Sequence, residues 1–170
     1  MKTTDIQNSS LEGSDITRDV IATYPEEMAG RALKMMAESG IHHLPVLEGE
    51  RIVGLVSYKD LFGTLLKEGS LRDFQFVPVA RIMRRDVLVV NEGTEIREVL
   101  HEMRVKKLGA LPVVRDGKLS GIVTESDMLR VLEKLVGGEK QETRLVEKGE
   151  SLLANPLVQR VVYQLSEMGI

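Results

Sequence analysis

The chain has 170 residues, of which 42% are hydrophobic and 29% are charged, and its formal net charge is −3. This composition excludes a disordered chain, and the absence of a basic block together with an aromatic content of 4% argues against a nucleic-acid partner. No cysteine, signal peptide or bilayer-length apolar run is present, so we expect a reducing, cytoplasmic location, no metal site and no membrane insertion.

An arm of residues 1–13 precedes a first unit that we place at residues 14–66. Its short apolar stretch, Val20-Ile21-Ala22, predicts a fully buried strand. A helix ending at Gly40 should come after it, because apolar residues recur at helical spacing: Ala29, Ala32, Leu33 and Met36. Two strands joined near Glu48-Gly49-Glu50 come next, and a closing helix carries Leu61, Phe62 and Leu65.

The segment 67–80 separates the first unit from a second one, and it holds Phe74 and Phe76 in alternation. Alternation predicts a strand that covers the seam between neighbouring units. A contact with a partner or a dimer mate is the alternative interpretation.

Residues 81–136 repeat the first unit at an offset of 67 positions, and Leu-Pro-Val and Gly-x-Val-(Ser/Thr)-x-x-Asp recur in both copies. The same elements are therefore expected: a buried strand at 87–90, a helix with Thr94 as N-cap, two strands joined at Asp116-Gly117, and a closing helix. The order β-α-β-β-α, twice, predicts an α/β protein in which the two copies pack with pseudo-two-fold symmetry.

The tail, residues 137–170, begins with a glycine pair and ends in a predicted helix. Asn155 and Pro156 match an N-cap followed by proline in the first turn. The helix carries an apolar stripe: Leu157, Val158, Val161, Val162, Leu165 and Met168. Such a stripe packs on its own domain or on a dimer mate, or it docks a regulated partner.

Tandem β-α-β-β-α units with these two motifs resemble cystathionine-β-synthase (CBS) domains, of which a tandem pair forms a Bateman module. The resemblance covers roughly residues 14–136 and includes the Arg81-Ile82-Met83 entry to the second copy. It implies clefts between the repeats that bind AMP, ADP, ATP, S-adenosylmethionine or a related adenosyl ligand. It further implies a regulatory role toward another protein and pairing of modules into a dimer.

The resemblance assigns the ribose contacts to Asp60 and Asp127, whose two carboxylate oxygens can accept hydrogen bonds from both ribose hydroxyls. Ser57 and Thr124 stand where a strand ends and a helix begins, so their hydroxyls and the free helical N–H groups suit phosphate. The alternative is that Ser57, Thr124 and both aspartates only cap their helices.

Basic groups at the phosphate end are asymmetric, since His42, His43 and Lys59 occur only in the first copy. The two histidines are phosphate contacts by the resemblance, and surface residues at a strand start by the alternative interpretation. Adenine would be held by backbone and apolar side chains of the opening strands, near Val20, Ile21, Val87 and Leu88.

Recognised catalytic motifs are missing from the sequence, so we expect a non-enzymatic sensor that needs no cofactor and forms a homodimer through outward-facing Phe62, Leu65, Leu132 and Leu135. The competing hypothesis is a structural dimerisation or partner-docking module with no nucleotide bound.

Overall fold

The computed structural model describes residues 9–135 and 154–169. It divides into a first-repeat unit, residues 21–87 and 143–170, and a second-repeat unit, residues 1–20 and 88–142. The helices are α1 (Ala29–Ser39), α2 (Tyr58–Glu68), α3 (Leu71–Phe74), α4 (Ile96–Lys106), α5 (Glu125–Leu135) and α6 (Pro156–Glu167). The strands are β1 (His43–Glu48), β2 (Arg51–Ser57), β3 (Val90–Asn91), β4 (Ala110–Arg115) and β5 (Lys118–Thr124).

The predicted α/β class, the repeated helix–hairpin–helix order and the C-terminal helix are confirmed. In the first-repeat unit β1 pairs with β2, and in the second-repeat unit β3, β4 and β5 form one sheet. The helical spacing correctly predicted α1, whose Ala29, Ala32, Leu33 and Met36 are all buried. The turn at Asp116-Gly117 is also confirmed, because both residues have the positive φ angles, 52° and 77°, that a tight hairpin turn requires.

The predicted opening strands at 20–22 and 87–90 are wrong over most of their length. The Val20 N–H donates to the Arg18 carbonyl, and the Val87 N–H donates to the Arg85 carbonyl, so both stretches turn locally instead of pairing. Pairing begins later, at the Thr23–Val46 bridge in the first-repeat unit and at β3 in the second. Ile21 is 37% exposed and therefore does not occupy a buried strand.

Each unit includes the opening segment of the other repeat. In the first-repeat unit, Arg84 pairs with Leu55 of β2, and in the second-repeat unit Thr17 pairs with Ile122 of β5. Glycines make room for these segments: a Cβ on Gly54 would overlap Met83, and one on Gly121 would overlap Ile16. The positions correspond at the offset of 67, so both units use the same packing.

The segment 67–80 does not form the predicted strand. Ser70 caps α3 by accepting a hydrogen bond from the Asp73 N–H, so the segment turns into a helix after α2 ends. Phe74 is fully buried in the first core, whereas Phe76 is 66% exposed. The predicted cap at Thr94 is wrong by one residue: Glu95 precedes α4, and the Thr94 hydroxyl accepts from the Asn91 N–H.

The tail helix α6 begins as predicted, with the Asn155 side chain accepting from the Leu157 N–H and Pro156 in the first turn. Its buried residues, Val158, Val161 and Leu165, join the first-repeat core. The stripe thus packs on its own domain, although Leu157 and Met168 remain exposed. Within the described residues, we find no helix that is both long enough and apolar enough to cross a membrane.

Candidate functional site

Asp60 lies in the first turn of α2 and closes a capping box with Ser57. The Ser57 N–H and hydroxyl donate to Asp60 Oδ2 at 3.0 and 2.6 Å, and the Asp60 N–H donates to Ser57 Oγ at 3.3 Å. The sequence dictates this arrangement, because Ser followed three residues later by an acidic residue at a strand-to-helix junction satisfies the free N–H groups of the first turn. One carboxylate oxygen is thereby used, and Oδ1 remains for other contacts.

The neighbour of that oxygen is Arg84, whose guanidinium Nη2 lies 3.7 Å from Asp60 Oδ1. Arg84 is held there by the backbone pair it forms with Leu55 of the adjacent strand. The two side chains are 61% and 20% exposed, so the ion pair is open to solvent and weak.

The two predicted histidines stand beside this cap. His43 pairs with Ser57 across the hairpin, and the His42 carbonyl accepts from the Tyr58 N–H at the start of α2. The His42 ring lies against the Tyr58 ring with centroids 5.1 Å apart. The structure therefore brings His42, His43, Ser57 and Asp60 together, with Lys59 exposed on the adjoining turn.

The electrostatics of the cluster keep both imidazoles neutral near pH 7. Burial lowers the pKa of His43 to about 4, and the neighbouring His42, Lys59 and Arg84 add to that effect while Asp60 opposes it. Partial burial, and then the Lys59 ammonium, also lower the pKa of His42. In the cluster the permanent positive charges are therefore those of Lys59 and Arg84.

The second-repeat unit builds the same cap from Thr124 and Asp127. The Thr124 N–H and hydroxyl donate to Asp127 Oδ2 at 2.9 and 2.6 Å. Here the other oxygen is also engaged, because Arg130 Nη2 donates to Asp127 Oδ1 at 2.7 Å. The Asp127 side chain is only 6% exposed, and the pair is correspondingly better shielded than that of Asp60.

The charged surroundings of the two caps differ. At the positions of His42, His43 and Lys59 the second repeat has Gly109, Ala110 and Ser126. Glu125 replaces Tyr58, and Thr17 replaces Arg84. The first cap is thus surrounded by basic and imidazole groups, whereas the second has the single cation Arg130 on its aspartate and the acidic Glu125 at the position of Tyr58.

The residues predicted to hold adenine fall into both units. Ile21 and Val87 belong to the first-repeat unit, and Val20 and Leu88 to the second-repeat unit. Ile21 is exposed, whereas Val20, Val87 and Leu88 are half-buried, and Leu88 packs on the second core. The structure does not place these residues in the buried strands that the prediction assumed.

Sequence reasoning missed two residues, Arg84 and Arg130. The contact of Arg130 with Asp127 could have been predicted, because Arg130 lies three positions after Asp127 on a predicted helix and residues at that spacing face each other. The contact of Arg84 with Asp60 could not be predicted from spacing, because Arg84 lies 24 positions after Asp60. Only the backbone pairing of Arg84 with Leu55 brings the two side chains together.

The family model of the CBS domain matches this chain twice, at residues 14–67 and 79–134. Among curated proteins, the chain is 33% identical over 124 residues to protein MJ1225 of Methanocaldococcus jannaschii, covering 68% of this chain and 44% of that protein. It is 36% identical over 116 residues to the inosine-5'-monophosphate dehydrogenase of Korarchaeum cryptofilum, covering 68% of this chain but 23% of the dehydrogenase. The chain therefore spans less than half of either relative.

Two solved structures extend the comparison. The crystal structure of MJ1225, which is proposed to be an archaeal homolog of g-AMPK, matches with a TM-score of 0.66 and 30% identity over 77% of this chain and 51% of that one. The CBS domain pair of protein MJ0100, in complex with 5-methylthioadenosine and S-adenosyl-L-methionine, matches with a TM-score of 0.64 over 72% of this chain and 99% of that one. At 23% identity, the second match shows the fold alone.

Proposed function

Since the chain belongs to the CBS domain family, we propose that it is a non-enzymatic regulatory module that binds an adenine nucleotide or a related adenosyl ligand. The match to the dehydrogenase covers only 23% of that enzyme, as expected for a regulatory module that is shared between otherwise different proteins. The adenosyl ligands of the MJ0100 domain pair support the ligand class.

The observation that carries the proposal is the free oxygen of Asp60. Oδ2 is held by the Ser57 cap, and among the described residues Oδ1 faces only the solvent-exposed Arg84 at 3.7 Å. A carboxylate oxygen fixed in this way can accept a hydrogen bond from a ribose hydroxyl without rearrangement of the helix start. We thus propose one oxygen per aspartate as the ribose acceptor, in place of the two assumed from the motif.

The neighbouring basic groups favour a phosphorylated ligand at this cap. Lys59 and Arg84 supply charge, and His42 and His43 can donate as neutral imidazoles. A bound phosphate would favour the protonated form of His43 and raise its pKa from about 4. We therefore expect the pKa of His43 to be higher in the AMP complex than in the adenosine complex, which an NMR titration of the imidazole measures.

Regulation would result from differential binding. A ligand can shift a conformational equilibrium only by the ratio of its affinities for the two states. The contacts proposed here reach both α2, through Asp60, and the entry segment of the second repeat, through Arg84. A ligand that takes over the Asp60 oxygen would release Arg84, and this change is the coupling step of the proposal.

Isothermal titration calorimetry with AMP, ADP, ATP, S-adenosylmethionine and NADH tests the proposal. We expect at least one member to bind with a micromolar or lower Kd. At a concentration 100-fold above Kd, that ligand should add about 2.7 kcal/mol of stability, which is roughly 5–10 °C in Tm. The absence of both heat and a thermal shift across the panel at millimolar concentration would refute it.

Asp60→Ala should weaken binding on the order of tenfold or more, because it removes a charge-assisted hydrogen bond. It should also cost about 1 kcal/mol of stability, because it removes the cap. Ser57→Ala is the matched control: it loses the capping hydroxyl but keeps the carboxylate, so we expect a similar loss of stability with a smaller loss of affinity. Equal losses of affinity in both variants would favour a purely capping role.

A structural dimerisation module without nucleotide is the second candidate, and exposed apolar side chains on the closing helices favour it. Leu66 of α2 is 80% exposed and Leu129 of α5 is 61% exposed, while Phe62, Leu65, Leu132 and Leu135 are half-buried. We propose a homodimer through these helices. Light scattering on the full chain and on Leu66→Glu tests it. A monomeric full chain would refute it, and so would a Leu66→Glu variant that dimerises as well as the parent.

A further inference from the structure

The two capped aspartates differ in how much of the carboxylate is open to a ligand. Asp127 has both oxygens engaged within its own unit, Oδ2 by Thr124 and Oδ1 by Arg130 at 2.7 Å, and its side chain is 6% exposed. Asp60 has one oxygen engaged, and its side chain is 20% exposed. At Asp60 a ribose hydroxyl would thus meet only the distant Arg84 guanidinium, 3.7 Å from Oδ1, whereas at Asp127 it would have to displace a guanidinium that already donates to Oδ1 at 2.7 Å.

We propose that Arg130 is a specificity-determining residue that competes with ribose hydroxyls for Asp127. This inference rests on the proposed function, in which the aspartates accept ribose hydroxyls. It predicts unequal binding, with the Asp60 site filling first and the Asp127 site filling only when Arg130 is displaced. The chain would then bind one adenosyl ligand over the concentration range in which two identical sites would bind two.

The position of Arg130 supports this role. It lies three residues after Asp127 on α5, a spacing that brings the two side chains together on one helix face. The guanidinium is 56% exposed, so a ligand can displace it into water without burying an unpaired charge. The corresponding residue of the first repeat is Gly63, which has no side chain to oppose Asp60.

The repeat provides a reciprocal experiment. Arg130→Met removes the competing donor and keeps much of the aliphatic stem. Gly63→Arg installs the same donor three residues after Asp60, and a Cβ at Gly63 would meet no heavy atom within 4 Å. Because arginine is the better helix former, Gly63→Arg should not lower Tm, so a loss of affinity in this variant cannot be attributed to unfolding.

Each variant is measured with the other site silenced: Arg130→Met together with Asp60→Asn, and Gly63→Arg together with Asp127→Asn. Two probes are titrated by calorimetry, adenosine and 2',3'-dideoxyadenosine. Adenosine is uncharged, so the lost arginine charge does not itself alter its attraction to the site. The dideoxy probe lacks both ribose hydroxyls, so competition between arginine and those hydroxyls cannot change its affinity. Any change in its affinity therefore measures the other effects of the substitution.

We expect Arg130→Met to strengthen adenosine binding about fivefold, and Gly63→Arg to weaken it by a similar factor, as for a partly exposed ion pair of up to about 1 kcal/mol. Binding of dideoxyadenosine should not change. Unchanged or opposite effects on adenosine, or equal effects on both probes, would overturn the inference while leaving the proposed function intact. If the unaltered chain binds neither the nucleotide panel nor adenosine, the proposed function fails and this inference falls with it.

Discussion

The hydroxyl of Thr23 provides the sharpest test of how this core is packed. Thr23 is 1% exposed, and its Oγ1 has no hydrogen-bond partner among the described residues. Its backbone is fully paired, since the N–H donates to the Pro45 carbonyl and the carbonyl accepts from the Leu47 N–H. Replacing the hydroxyl by a methyl group should therefore leave the backbone in place.

We expect Thr23→Val to stabilise the protein. An unpaired buried hydroxyl costs about 1–3 kcal/mol. Because valine has nearly the same shape, most of that cost should be recovered, which we set at about 1–2 kcal/mol. For a chain of 150–250 residues this is roughly 2–8 °C in Tm.

The second repeat supplies the matched control. Val90 occupies the corresponding position, is 7% exposed and pairs with Val113 as Thr23 pairs with Val46. Val90→Thr should create the same defect and lower stability by a similar amount. Both variants are measured by urea denaturation followed by circular dichroism, with the m-value as the check that compactness is unchanged.

A Thr23→Val variant that is less stable than the parent would refute the reasoning, because it would mean that the hydroxyl has a partner. Weaker AMP binding at unchanged stability would refute it in a different way, since the hydroxyl would then belong to the ligand site.

Burial and contact distances support three further predictions. In the parent chain the free energy of unfolding should rise between about pH 4 and 6.5, because His43 binds its proton more tightly in the unfolded chain than in the folded one. This rise is at most about 1.4 kcal/mol per pH unit, and His43→Gln should remove it. Gly121→Ala should lower Tm more than Gly54→Ala, because its new methyl group would meet the branched Ile16 and backbone instead of a flexible methionine. Leu11→Ala should cost about 2–4 kcal/mol, because Leu11 is 2% exposed in the second core although it lies outside the family match.

Each has a result that contradicts it. For His43 it is an unchanged slope in denaturation measured from pH 4 to 7. For the glycines it is equal melting temperatures in a paired thermal scan. For Leu11 it is a loss below about 0.5 kcal/mol in urea denaturation, which would show that the arm does not support the second core.

The local elements and their repetition could be predicted from the order of residues alone. Helical spacing of apolar residues located α1, the internal repeat located α4, the Asp116-Gly117 pair located the second hairpin, and Asn155-Pro156 located the start of α6. The Ser57 and Asp60 pair could likewise be interpreted as a cap. These features depend on interactions between residues a few positions apart, and such interactions are visible in a linear pattern.

The segments that complete each unit could be identified only in the folded chain. The predicted opening strands were wrong because short apolar runs do not specify a pairing partner. At Val20 and Val87 the chain forms a local turn instead of a strand. The prediction of a strand in the linker was wrong because Ser70 caps a short helix there, and two alternating phenylalanines did not suffice to specify a strand.

The candidate site divides in the same way. The two aspartates and their caps are predictable from the motif, but the cations that face them come from different places. Arg130 lies on the same helix as Asp127, whereas Arg84 reaches Asp60 only because its backbone pairs with Leu55. Pairing between distant segments is fixed by shape and burial across the whole core, as where Gly54 and Gly121 admit Met83 and Ile16, and no local spacing encodes it.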